Sequence, residues 1–291
     1  MSRIGLGTAQ FGLDYGISNE NGKTSLSHVR DIMSYANDNG ITCYDTAPSY
    51  GDSEQVIGKV AQNISCNIVT KTKHLSETVK SEVYGSIIDT FQDSLINLKR
   101  DFVYGLLVHD AADLIEEKSD HVYQALSELK QKGLVKKIGV SVYEQEQAEK
   151  ILDRFDIDLI QLPVNIFDQR LVRSGFLKKL KDQGIEVHSR SCFLQGLVFM
   201  NPNQLNSYFD PIKNILENFN SYVSKSAFSA LDLALGYVLS LPEIDSVICG
   251  VNDIKQLQEI IISSTKRIDM SEASCFAIDD KSFVNPAHWR V

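Results

Sequence analysis

Asp45, Tyr50, Lys71 and His109 are the residues of this sequence whose types and spacing could do acid-base chemistry together. Asp45 and Tyr50 belong to the run Cys43-Tyr44-Asp45-Thr46-Ala47-Pro48-Ser49-Tyr50-Gly51, which begins as an apolar strand and breaks at Pro48. An acid and a phenol thus stand on the turn just beyond a strand, where loops commonly carry chemistry. Lys71 closes the run Ile68-Val69-Thr70, and His109 closes Leu107-Val108. A free phenol ionises at about pH 10, too high for easy proton exchange near neutrality, and a neighbouring cation favours the phenolate. At about 4 Å and an effective dielectric near 20, a lysine charge is worth roughly 4 kcal/mol, about three pK units before burial is subtracted. Lys71 could therefore tune Tyr50, while Asp45 keeps Lys71 charged and oriented.

Each of the four has a plainer reading. Asp45 could cap backbone amides and Tyr50 simply pack. Lys71 could be a solvated lysine at a strand exit, and His109 a core histidine with satisfied nitrogens. Lys73 and Asp110 compete for the same roles. What favours chemistry is four ionisable groups at consecutive strand ends.

The elements that would position them alternate along the chain. Short apolar or β-branched runs predict strands over residues 4–7, 41–45, 67–71, 103–109, 137–142, 159–162, 185–189 and 246–250. Amphipathic stretches predict helices over 25–39, 53–62, from the seventies through Leu98, 121–132, 145–154, 171–183, 226–240 and 254–263. Gly40, Gly133 and Gly184 stop three of them with left-handed caps. A Gly/Asn-rich turn is expected over 16–22. In the long helix, Val83, Ile87, Phe91, Leu95 and Leu98 form one apolar stripe that needs a sheet to cover. Eight such units favour a closed (β/α)8 TIM barrel, an α/β fold, as one domain over 1–291 with an insertion at about 193–225. The competing doubly wound open sheet should carry GxGxxG at its first turn, and Gly5-Leu6-Gly7-Thr8-Ala9-Gln10 has only the first two glycines.

Composition narrows the function. The chain has 291 residues, is 43% hydrophobic and carries a formal net charge of -9 without a basic tract, which argues against a nucleic-acid or anionic membrane surface. Cys43, Cys66, Cys192, Cys249 and Cys275 are scattered and form no CxxC, so buried thiols in a reducing compartment are expected rather than disulfides or zinc. The amino terminus lacks a signal-peptide core and no segment approaches a membrane span, so a soluble cytoplasmic protein is expected.

The successive landmarks Gly5-Leu6-Gly7-Thr8, Asp45-Thr46-Ala47 with Tyr50-Gly51, Val69-Thr70-Lys71, Leu107-Val108-His109, Lys137-Ile138-Gly139-Val140-Ser141, Gln161 with Asn165, and Gly196-Leu197 resemble those of the aldo-keto reductase family. The resemblance runs from residue 4 to about residue 262. It implies reduction of an aldehyde or ketone, with Tyr50 as general acid, Lys71 and Asp45 as its electrostatic partners and His109 orienting the carbonyl. No side chain donates hydride, so a nicotinamide cofactor is required. By the same resemblance Ser141 and Gln161 hold its carboxamide, and Gly7, Thr8, Asp45, Arg190, Ser191, Gly250, Asn252, Gln256 and Glu259 complete the cofactor site. Val142 stands where relatives often have Asn, Arg190 where an aromatic often stacks on the nicotinamide, and Gln256 where an Arg commonly grips the adenosine 2′-phosphate. Lys255, Lys266 or Arg267 could serve instead, while Asp253 would repel a phosphate. NADPH is the expected cofactor from family habit, with NADH possible. The amino terminus is too short for the hairpin that often plugs the barrel base in relatives.

The expected partner is a small-molecule carbonyl substrate, for a monomer or small homo-oligomer. The insertion either shapes access to the mouth or covers the barrel around an aromatic core of its own. Two other readings stand beside the reductase. One is a nicotinamide-binding sensor or regulatory subunit with little turnover. The other is a metal-dependent lyase or epimerase using Asp45, His109 and His188, although no compact His/Asp motif supports a metal site.

Overall fold

The structure, a computed structural model, describes residues 2–17, 19, 22–62 and 64–289. Eight parallel strands close into a barrel in chain order: β1 (Ile4–Gly7), β2 (Cys43–Asp45), β3 (Asn67–Lys71), β4 (Val103–Val108), β5 (Val135–Ser141), β6 (Leu159–Pro163), β7 (Glu186–Arg190) and β8 (Ser246–Gly250). The strands are short and mostly buried because both faces are covered, by the barrel interior and by the helices. β1 pairs with β8, Gly5 opposite Ile248 and Gly7 opposite Gly250, which removes the open edges of a doubly wound sheet. Inside, Val69, Leu107 and Leu159 form a buried layer beneath the mouth.

Between strands the helices lay their apolar stripes on the sheet. Helix Leu26–Asp38 starts where the Ser25 side chain accepts from the His28 amide, and it buries Val29, Ile32, Met33 and Ala36. Helix Val83–Leu98 buries Val83, Ile87, Phe91 and Leu98, but Ser94 takes an inward position and Leu95 is only partly buried. The reason is polar: Ser94 hydrogen-bonds the buried Glu54, which also accepts from Thr70. A single helix expected over 171–183 is two, Arg170–Arg173 and Phe176–Asp182, because Gly175 adopts φ 74 between them. Helix Ala230–Ser240 starts later than residue 226, since Ser226 bonds within its own turn to Phe228 and Ser229 supplies the capping box with Asp232. Strand β5 begins earlier than expected and ends at Ser141, leaving Val142 beyond it. The turn expected over 16–22 lies partly outside the described residues.

Residues 193–225 divide their labour. Phe193 and Phe199, ring centroids 5.3 Å apart, line the mouth. Helix Lys213–Lys225 turns Phe219 onto Phe167 and Phe276, and Phe209 packs on Trp289, so the later half belongs to an aromatic cluster shared with the carboxy-terminal tail. Among the described residues no helix is long and apolar enough to cross a membrane.

Candidate active site

The turn after β2 is held by main-chain contact. A Cβ on Gly12 would stand 1.8 Å from the Tyr50 carbonyl oxygen, and one on Gly51, at φ 58, would stand 2.3 Å from that of Gly12. Only glycine fits either place, and the two glycines clamp the segment that carries Tyr50. Beneath it Thr8 donates its hydroxyl to the Asp45 carbonyl at 2.8 Å, and Ser53 donates to Thr8 at 2.9 Å.

β3 delivers Lys71 into this frame at 1% exposure. Its ammonium donates to both Asp45 carboxylate oxygens at 2.8 Å and to the Thr46 carbonyl at 3.0 Å. It also lies 5.0 Å from the centre of the Tyr50 ring and in hydrogen-bond contact with the phenol. The Tyr50 and His109 rings meet edge-on at 5.9 Å. His109 is fixed by two further contacts, the Ser49 hydroxyl at 3.3 Å from Nδ1 and a stacked His74 ring at 4.8 Å.

Burial decides the protonation states. Alone it would push the Lys71 ammonium down, but Asp45 and then Tyr50 reverse this and its pKa is raised. The Tyr50 phenol, in contrast, moves up: burial outweighs Lys71, and Asp45 adds to the rise. Lys71 does lower the phenol, as expected, but burial more than offsets it, so Tyr50 keeps its proton. His109 is pushed down to about 3 by burial, then by Lys71, His74 and Arg190, so its imidazole is neutral near pH 7.

These side chains open on a cleft of about 970 Å³ at the carboxy-terminal ends of the strands. The same cleft is lined by Gly7, Thr8, Ser141, Gln161, Arg190 and Ser191, and farther on by Gly250, Asn252, Gln256 and Glu259. Ser141 and Gln161 are paired neighbours on β5 and β6. The Gln161 amide donates to Asp45 Oδ1 at 2.7 Å, a bond that ties this wall of the cleft to the Asp45–Lys71 pair. Among the described residues its Oε1 is buried without a hydrogen-bond partner, as is Asn252 Oδ1. Such orphaned acceptors on a cleft wall are costly unless a ligand donor completes them, and an unpaired amide oxygen beside Ser141 suits the carboxamide N–H of a nicotinamide. The residues present therefore fit that cofactor.

Other expected ligands are differently placed. Thr8 is fully buried and its hydroxyl is spent on Asp45, so it braces the floor. Arg190 lies 3.9 Å over the Tyr143 ring and donates to the Val142 carbonyl, so its guanidinium is seated on protein. Gln256 Oε1 accepts from the Asn252 amide at 2.8 Å. Lys266 lines the cleft, but Lys255 faces a separate small groove with His28 and Asp31, and Arg267 is exposed away from the cleft. Lys73 and Asp110 are exposed, Asp110 capping a turn through the Ala112 amide. His188 bonds Glu186 at 2.6 Å and does not line the cleft, so it does not converge with Asp45 and His109 on a metal. Among the described residues no three His, Cys, Asp or Glu side chains are grouped to hold one.

Several lining residues escaped the sequence reading. Tyr15, His74, Tyr143 and Asp232 come from loops and a helix start without periodicity to single them out. Asn165 had been noted beside Gln161 but without its function: it donates to the Ser191 carbonyl at 3.1 Å and accepts from the Phe167 and Asp168 amides, joining the loops after β6 and β7.

The model of the Aldo/keto reductase family matches residues 3–280. The chain is 26% identical to the uncharacterized oxidoreductase YqkF of Bacillus subtilis, across 99% of this chain and 95% of that protein. It is also 26% identical to L-galactose dehydrogenase of Arabidopsis thaliana, across 91% and 85% respectively. Its fold is similar to that of the solved aldo-keto reductase AKR11C1 of Bacillus halodurans, with a TM-score of 0.75 at 21% identity, covering 94% of this chain and 91% of the other.

Proposed function

The chain belongs to the aldo/keto reductase family, and from that premise we propose that it is a nicotinamide-dependent oxidoreductase that reduces a small aldehyde or ketone to the alcohol, with Tyr50 as proton donor. The observation that carries this reading is the protonated phenol of Tyr50 touching a lysine locked to Asp45, with a neutral His109 edge-on beside it, all over one cleft. Ser141 and Gln161 would hold the carboxamide of the cofactor, with Gly7, Arg190 and Ser191 beside them and residues 250–259 along its far half. A nicotinamide bound there supplies the hydride.

The residues of the chain do the rest. A substrate oxygen set between Tyr50 and His109 accepts a hydrogen bond from each, which polarises the carbonyl before any proton moves. The neutral His109 imidazole has one N–H; with the Ser49 hydroxyl donating to Nδ1, that N–H is at Nε2 and is given to the substrate. As negative charge develops on the oxygen, Tyr50 releases its proton, and the Lys71 ammonium stabilises the phenolate left behind. Asp45 holds Lys71 in place, and Gln161 holds Asp45. Phe193 and Phe199 shield one side of the mouth from water.

Tyr50→Phe keeps the ring and removes the proton. Turnover of a carbonyl panel should fall by about 10²–10⁴-fold, while cofactor affinity, read by fluorescence titration, stays as it was. Undiminished turnover would refute the assigned role of Tyr50. Tight cofactor binding by the unaltered protein with negligible turnover across sugars, short aldehydes and aromatic carbonyls would favour a sensor instead.

A further inference from the structure

The reactive end of the cleft dictates how a dinucleotide must lie. With its nicotinamide within reach of Tyr50 and His109, its adenosine half runs toward the starts of helices Ala230–Ser240 and Ile254–Ser264, whose residues line the other arm. Among the described residues three lysine or arginine side chains line the cleft: Lys71 is held by Asp45, Arg190 rests on Tyr143, and Lys266 stands in the far arm.

Lys266 is not available as a free cation. It is bonded at 2.7 Å to Asp232, which is 3% exposed and is also fixed by the Ser229 amide at 2.9 Å. Glu259 lines the same arm, and among the described residues it has no cation within salt-bridge distance. The start of helix Ile254–Ser264 would ordinarily attract an anion, but two of its amide donors are already satisfied. Asn252 N–H donates to Gln256 Oε1 at 2.8 Å, and Gln256 N–H donates to Asp253 Oδ1 at 2.9 Å. The second of these acceptors is itself a carboxylate.

Resting on the reductase reading above, we propose that the far arm of the cleft selects NADH over NADPH: it offers a 2′-phosphate no uncommitted cation and meets it with Glu259, which instead accepts a hydrogen bond from a ribose hydroxyl. A carboxylate against the ribose diol and the lack of a free cation are together the usual physical basis for that choice. This reverses the family-based expectation of NADPH.

The test is calorimetric titration of the unaltered protein with NADH and with NADPH at low and at high salt. NADH should bind at least about tenfold more tightly at low salt, and the gap should narrow as salt screens the repulsion. Glu259→Gln should tighten NADPH relative to NADH, and Asp232→Asn, by freeing Lys266, should do so further. Because Asp232 also caps a helix, Glu259→Gln and the salt series carry the test if that variant fails to fold. A smaller gap, the reverse order, or a Lys266→Met variant that loses NADPH affinity selectively would overturn the proposal. Binding of neither dinucleotide would defeat the reductase reading with it, whereas tight NADPH binding would defeat the selectivity alone.

Discussion

The two ends of the barrel hold the same four kinds of group, a carboxylate, a lysine, a tyrosine and a histidine, and put them to different ends. At the mouth stand Asp45, Lys71, Tyr50 and His109; at the base, near the amino-terminal ends of the strands, stand Glu186, Lys137, Tyr104 and His188. At the base one carboxylate serves every partner. Glu186 accepts from the Tyr104 hydroxyl at 2.7 Å, lies 2.6 Å from His188 Nε2, and takes the Lys137 ammonium in close contact. At the mouth Asp45 is committed to the lysine and Gln161, so the phenol and the imidazole are left facing a cavity. The composition of a polar cluster therefore does not make it a catalytic centre. What does is whether its proton donors are already spoken for, and whether a void stands in front of them.

Paired substitutions test that contrast, beginning with the largest effect. Lys71→Met should lower kcat by about 10³-fold, since the phenolate loses its cation, whereas Lys137→Met should leave kcat unchanged; circular dichroism confirms that both fold. Equal loss in the two variants would erase the distinction. Glu186→Ala leaves three donors at the base without their acceptor and should cost about 2–4 kcal/mol in urea unfolding, with kcat preserved in the molecules that remain folded.

Acid should loosen the two ends in sequence. His109 titrates at about 3 when folded and near 6.5 in its unperturbed form, so the folded state binds fewer protons in that window and stability falls as pH drops through it. Glu186 is held at about 2, against 4.5 when unperturbed: burial alone would raise it, but His188, Lys137 and Tyr104 more than offset this. Its contribution is full above about 4.5 and is lost as pH falls toward about 2. His109→Gln should therefore remove its share of the slope between about pH 6.5 and 3 and leave only the Glu186 limb below about pH 4.5. The rate profile should show no limb near pH 6.5, since the imidazole is already neutral there.

Much of this was readable before the coordinates. Four strands end on a polar residue, Asp45, Lys71, Ser141 and Arg190, and Gly40, Gly133 and Gly184 do adopt the positive φ that ends their helices, at 72, 74 and 74. Gly175 does the same and was missed, because apolar periodicity continues on either side of it and only the break in backbone conformation separates the two helices. The four groups at the mouth were legible because Asp45 and Lys71 end their strands, His109 follows its own at once, and Tyr50 stands on the turn just beyond. The Gln161–Asp45 bond was not, since 116 residues separate the partners and only barrel closure joins them. The base cluster left no trace either: Tyr104, Lys137 and Glu186 sit early in their strands, where a polar residue looks like an exposed end. His188 was noticed only in the alternative that would group it with Asp45 and His109 on a metal.

The abutting backbones at Gly12 and Gly51 separate two kinds of inheritance. Since Tyr50, the proposed proton donor, is located by atoms common to every amino acid, side chains around the rim are free to diverge without disturbing it. New substrates can thus be acquired by exchanging rim residues while the chemistry is passed on intact, and the toll for altering either glycine falls on the reaction itself, whatever molecule is being reduced.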